Sequence, residues 1–167
     1  MWKIEETEAV AMESLRRAMK LETFDCPVSS FVVVDGDTQH VVLDRGFRVT
    51  LGITTRLHGI DAPEINTQAG KLVADIVFRW LTPICQTKYR LRWLSRDLDM
   101  YGRSIGDFID REHPGESLSN YLIRNKLARE YDGKTARKPW SVNDLIDVER
   151  IAKEIISPNA VRKEPPF

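Results

Sequence analysis

The sequence is short of several things, and each shortage narrows the reading. It has two cysteines in 167 residues, Cys26 and Cys85, with no CxxC pair and no metal-ligand spacing. A disulfide scaffold and a zinc module are therefore excluded, and two reduced thiols in a reducing compartment are expected. There is no long apolar run. Phe31 to Val34, and Ile76 to Leu81 interrupted by Arg79, are far below the length that spans a bilayer. The N-terminus is charged and has no apolar segment of the kind that directs secretion, which points to a cytoplasmic protein with no membrane partner. No net charge of either sign is present, so any nucleic-acid contact must come from a local patch. Neither internal repeats nor low-complexity segments occur.

What is there suggests one soluble domain. The chain is 42% hydrophobic and 30% charged, long enough for a substantial core. Charge is unevenly spread. Residues 45–103 hold ten Lys and Arg against five acids, whereas residues 1–27 hold four basic and six acidic residues.

Residues 3–22 read as an amphipathic helix, with Ile4, Ala11, Leu15, Ala18 and Met19 near one stripe. That stripe could pack on the domain or on a protein partner, including a second copy. Cys26-Pro27 ends the helix, so residues 1–26 form an N-terminal extension and residues 27–157 the main domain. Residues 158–167, with three prolines, form a loose tail.

From Ser29 the texture becomes β. Phe31 to Val34 reads as a buried strand, stopped by the turn Asp35-Gly36-Asp37, and Val41 to Leu43 as its hairpin partner. The third strand alternates most clearly. Phe47, Val49, Leu51, Ile53, Thr55 and Leu57 face the core, and Arg56 falls on the other face. Residues 68–81 form a helix ended by Thr82-Pro83. A fourth strand spans Thr87 to Leu94, with Tyr89, Leu91 and Trp93 on one face and Lys88, Arg90 and Arg92 on the other. The basic face suits either a wet sheet surface or a nucleic-acid track. A polar turn runs from Ser95 to Gly102, and a fifth strand from Arg103 to Asp110. His113-Pro114-Gly115 is a turn, and Ser117 caps a short helix to about Asn125. Tyr131 to Pro139 is a polar loop. Ser141 and Asp144 make a capping box for the last helix, with Trp140 and Leu145 as its hydrophobic staple. The fold class is α+β: a five-stranded OB-fold barrel with three helices plus the N-terminal helical extension, an architecture that often binds oligonucleotides.

The most specific stretch is Arg56 to Glu64. It places one cation and two acids, Asp61 and Glu64, on nine residues stiffened by Pro63. Such a set suits a phosphate held by an arginine and a hard metal, with one carboxylate left to act as a base. His40, His58 and His113 show no ligand spacing and read as non-catalytic.

Three motifs in order, Asp35-Gly36-Asp37-Thr38, Arg56 through Glu64, and Asp99-Met100-Tyr101-Gly102-Arg103, resemble the staphylococcal nuclease (thermonuclease) family. Gly70, Ala74, Leu127-Ala128 and Tyr131 are further matches, and the resemblance covers about residues 28–156. It implies a calcium-dependent, sugar-nonspecific endonuclease that hydrolyses phosphodiester bonds of DNA and RNA. By position, Asp37 and Asp61 are the calcium carboxylates, and the Ala62 carbonyl is a further ligand. Glu64 is the general base, and Arg56 and Arg103 hold the scissile phosphate. Asp35 and Thr38 shape the metal turn, while Tyr101 and Tyr131 contact the nucleotide. The chain also departs from the family. The loop after Glu64 is short, Met100 stands where a lysine is common, and Lys126 replaces a glycine. Without a secretion signal, the resemblance implies an intracellular or phage-borne enzyme. The alternative is a catalytically silent OB-fold module that binds nucleic acid or a protein.

Overall fold

A computed structural model describes residues 24–133 and 135–157. The expected helix at 3–22 and the tail at 158–167 lie outside the described residues.

Five strands close a barrel. β1 (Asp25–Val33), β2 (Thr38–Asp44) and β3 (Thr50–Leu57) form an antiparallel meander. β5 (Leu91–Leu98) pairs with β1 and with β6 (Ser104–Asp110), and β6 returns to β3 in parallel register. One mixed sheet with the order β3-β2-β1-β5-β6 and a β3–β6 closure has the connectivity of an OB-fold. β1 serves two neighbours because it bends at an irregularity between Val28 and Ser30. Two-residue strands β4 (Ile60–Asp61) and β8 (Arg129–Glu130) form a separate ladder, and β7 (His113–Ser117) extends β6. The helices are α1 (Gln68–Cys85), α2 (Leu118–Arg124) and α3 (Val142–Ile156).

The core follows from inward-facing strand residues meeting helix stripes. Val28, Val41, Leu43, Leu57, Leu91, Trp93 and Phe108 line the barrel, and Val73, Val77 and Leu81 of α1 close it. Trp93 and Phe108 stack obliquely at 4.8 Å, and the Trp93 indole donates to Ser104 Oγ at 2.9 Å. The pair thus buries its area without stranding a polar atom. α3 packs on α1 through Val148 and Ala152. Its capping box is complete: Ser141 Oγ accepts from the Asp144 N–H, and Asp144 accepts from the Ser141 N–H. Trp140 and Leu145 pack against the core, as a staple requires. None of the described helices is long and apolar enough to cross a membrane.

Several boundaries differ from the sequence reading. β1 is not a buried run, since Val32 and Val34 are exposed and only alternate residues turn inward. In β3 Thr55 and Leu57 are buried as expected, but Arg56 between them is buried too, and Phe47, Val49 and Leu51 are exposed. Phe47 and Arg48 instead take positive φ in a turn that projects past the core. The fourth strand begins four residues late, because Tyr89 also takes positive φ, and it runs on to Leu98. Leu91 and Trp93 do point inward, while Arg90 and Arg92 are committed to ion pairs with Asp110 and Asp25. α1 continues through Pro83 to Cys85. A proline in a last turn forfeits only one helical bond, and buried Ile84 holds that turn on the core. His113-Pro114-Gly115 opens a strand rather than a plain turn. Cys26 and Cys85 are both free thiols, and burial pushes the Cys85 thiol up from its ordinary value.

Candidate active site

Register builds the site. Thr38 opposes Arg56 in the β2–β3 ladder, and the Leu57 N–H donates to the Asp37 carbonyl at 2.9 Å. The turn before β2 is therefore pinned beside the end of β3. Within it, Asp35 Oδ1 accepts from the Asp37 N–H at 3.0 Å, an Asx turn that aims the Asp37 carboxylate. Asp37 Oδ1 accepts from Arg56 Nη1 at 2.8 Å and Thr38 Oγ1 at 3.0 Å, and its Oδ2 from the Ala62 N–H at 3.3 Å.

The second acidic stretch is held by α1. Thr67 caps that helix through Gly70 N–H, and its own hydroxyl and N–H both donate to the Glu64 carbonyl. A Cβ on Gly70 would lie 2.0 Å from the Glu64 oxygen, so only glycine allows α1 to approach the Asp61–Glu64 segment so closely. Gly36 does the same on the other turn, where a Cβ would meet Ala62 and Val73. Asp61 is fixed by the β4–β8 ladder, which sets it opposite Arg129. Arg129 Nε and Nη2 reach Asp61 Oδ2 at 2.9 and 2.7 Å, and its guanidinium lies 4.4 Å over the Trp140 ring.

A third arginine joins the acids. Arg137 Nη1 lies 3.3 Å from Glu64 Oε1 and 3.4 Å from Asp61 Oδ1, and its Nη2 lies 3.9 Å from Asp37 Oδ2. The Asp37, Asp61 and Glu64 carboxylates thus surround one guanidinium. Burial pushes the Asp37 carboxyl up from its ordinary value. Arg56 opposes that rise, Asp35 adds to it, and Arg137 and the Ala62 N–H counter it. An acid so buried is held ionised only by adjacent positive charge. Arg56 itself is buried, and its Nη2 has no hydrogen-bond partner among the described residues.

No protein-family model matches the chain, and no curated protein matches its sequence.

The donor set fits a hard cation. Asp37, Asp61 and Glu64 offer only oxygen, the ligand type that calcium takes, and their common centre already accommodates positive charge. Their oxygens are more widely spread than a closed ligand cluster. Among the described residues, ligand atoms within 4.8 Å of one another belong instead to Asp110, Glu112 and His113. That second group is filled by Arg90, which pairs with both Asp110 and Glu112.

The expected residues divide into two sets. Asp35, Asp37, Thr38, Arg56, Asp61, Ala62 and Glu64 come together, with Ala62 contributing its N–H to Asp37. Arg103 does not touch these acids. It is bound to Asp99, Nε to Oδ2 at 2.6 Å, and stacks on the Tyr101 ring at 5.5 Å. Burial works to raise the Asp99 carboxyl, but hydrogen bonds from Arg103 and Tyr101 outweigh it and hold the group below its ordinary value. Even so, Arg103 directly precedes Ser104, which pairs with Thr55, so Arg103 enters the sheet beside the end of β3. Tyr101 is 77% exposed. Tyr131 is tied to the site by its N–H to Gly59 O, and its ring lies 5.8 Å from the Arg137 guanidinium. A groove of about 1290 Å³, lined among others by His58, Asp61, Arg129 and Tyr131, reaches the acids from the Asp61 side.

Sequence reading missed Arg129, Arg137 and Gln39. Gln39 is fully buried, accepts from Thr55 Oγ1, and donates to the Asp35 carbonyl beneath the acidic turn. Period 2 running back from Val41 could have marked Gln39 as inward-facing. No pattern signals the two arginines, which arrive on a two-residue strand and a loop.

Proposed function

We propose that the chain is a calcium-dependent, sugar-nonspecific endonuclease acting on DNA and RNA. One observation carries this reading: Asp37, Asp61 and Glu64 converge on a positive group beside a buried arginine that keeps one donor uncommitted. The resemblance to staphylococcal nuclease assigns the same residues.

Asp37, Asp61 and the Ala62 carbonyl would hold calcium. When bound, the ion would neutralise phosphate charge and polarise the phosphoryl oxygens. Glu64, whose side chain is 61% exposed, can orient a water and take its proton as the water oxygen bonds to phosphorus. Arg56 Nη2 can donate to a non-bridging oxygen, where negative charge grows in the transition state. Arg103 serves the same charge after leaving Asp99. The P–O5′ bond breaks and the leaving O5′ takes a proton from solvent water, giving the 3′-phosphate and 5′-hydroxyl ends that the resemblance implies.

The test is incubation of the purified full chain with plasmid DNA and with single-stranded RNA, in calcium and in chelator. Cleavage in calcium and none in chelator is expected. Intact substrates under every divalent metal tried would overturn the reading.

A second reading has its own support. Arg103 is occupied by Asp99, and each acid of the cluster is matched by an internal arginine. A silent OB-fold module would bind labelled oligonucleotide or a protein and leave all substrates uncut.

A further inference from the structure

Three arginines serve the acidic cluster, and they are not equivalent. Arg56 meets Asp37 at 2.8 Å with its side chain 9% exposed. Arg129 meets Asp61 at 2.7 Å and is anchored again by the Lys138 carbonyl and the Trp140 ring. Both are short bonds of framework residues. Arg137 is different. Its contacts run from 3.3 to 3.9 Å, at or beyond the range of good hydrogen bonds, and its side chain is 34% exposed. It spans three acids without closing on any of them, and it can retreat to solvent without opening the core.

The loop that carries it is built to deliver it. Tyr131 Oη donates to the Thr135 carbonyl at 2.7 Å, and Asp132 Oδ1 accepts from Thr135 N–H and Oγ1. Arg129 fixes the far side through Lys138 O. These bonds fold the loop back on the cluster, so the guanidinium lies between Asp37, Asp61 and Glu64. A divalent cation bound by the same oxygens and this guanidinium would repel each other at contact distance.

We propose that Arg137 is an internal cation that holds the acidic site until a divalent metal displaces it. This rests on the reading of Asp37, Asp61 and Glu64 as a metal site. Docked Arg137 adds one positive charge among three carboxylates and so offsets part of their mutual repulsion in the metal-free site. It also lowers the fraction of molecules ready to bind, and the apparent dissociation constant rises by the reciprocal of that fraction. By linkage, a metal that binds must weaken the docking of Arg137 by the same factor. The metal threshold of the enzyme is then set partly by a loop residue outside the three motifs.

The test is calorimetric titration of calcium into full-length wild type, Arg137→Gln and Arg137→Lys. Docking in about nine molecules of ten makes the Arg137→Gln constant roughly tenfold tighter than wild type, while Arg137→Lys, which keeps the charge, stays near wild type. Thermal melts give a second readout. In chelator, Arg137→Gln melts below wild type, and calcium raises its melting temperature by more. Equal or weaker calcium affinity in Arg137→Gln would overturn the displacement proposal and leave the metal site standing. Absence of calcium and manganese binding in all three proteins would overturn both.

Discussion

Two centres on this barrel gather carboxylates around an arginine, and they differ in closure. β6 connects them. Ile105, near its start, pairs with Arg56, and Asp110 lies five residues on, roughly 17 Å along a strand. At Asp110 the fork closes completely: Arg90 Nε meets Oδ1 at 2.7 Å and Nη2 meets Oδ2 at 2.5 Å, while His113 and the Glu112 N–H take the remaining acceptor sites. Burial works to raise the Asp110 carboxyl, but these hydrogen bonds and the Arg90 charge hold it down at about 2. In the other centre one long-reaching guanidinium is shared by three acids, burial raises Asp37, and a donor of Arg56 is left over. A bidentate pair with satisfied lone pairs supports structure and has nothing to offer a ligand. Unequal, shared and incomplete bonding marks the centre that can take one. Closeness of ligand atoms alone would favour the other centre, where Arg90 already fills the cluster.

The largest effect should separate the centres by activity. Glu64→Ala is expected to lower cleavage about a hundredfold or more, as loss of a general base does, with calcium binding retained in titration. Asp110→Asn should cleave at the wild-type rate. Equal losses in the two variants would erase the distinction.

The converse holds for stability. Arg90→Met leaves a buried carboxylate without its main partner and should cost about 3 kcal/mol in denaturant unfolding near neutral pH. Glu64→Ala, at an exposed position, should change little. The sign with pH follows from the depressed Asp110 value. Its stabilisation is complete above the ordinary carboxyl value of 3.8 and is lost as pH falls toward about 2. The Arg90→Met deficit should therefore shrink over that range. A deficit unchanged by acid would show that Arg90 acts through packing rather than charge.

The smallest effect lies in the segment that brings Arg129 to Asp61. Lys126 takes φ +57 at the end of α2, where its N–H donates to Ile123 O and the Leu127 N–H to Leu122 O, a Schellman cap. Lys126→Gly should raise stability by about 1 kcal/mol, read as an increased melting temperature, and leave cleavage unchanged. No gain would mean that the lysine compensates its strain elsewhere.

Legibility tracked how local the cause was. Ser141 and Asp144 announce their helix because a capping box lies within four residues. Leu91, Trp93, Thr55 and Leu57 announce their faces because strand period is local. Phe47 keeps the same period and is still fully exposed, since alternation does not say where the barrel ends. Lys88 and Tyr89 continue a strand-like pattern, but positive φ at Tyr89 delays the strand. Within the site, the residues on two tight turns were legible. Arg103 was named with them and yet sits on Asp99, because an i,i+4 partner is nearer than a cluster across the sheet.

By itself the sequence determined the acidic turns, the strand that carries Arg56, the two helix caps, and hence an α+β barrel with Asp35, Asp37, Asp61 and Glu64 at its rim. These follow from short-range sterics and hydrogen bonding, which a few neighbouring residues dictate. Only the tertiary structure decided which cations neutralise those acids. Arg129 and Arg137 are 68 and 76 residues beyond Asp61, and they reach it through a two-residue ladder and a folded-back loop. Charge pairing at that range depends on where the whole barrel puts each backbone, and no local pattern encodes it.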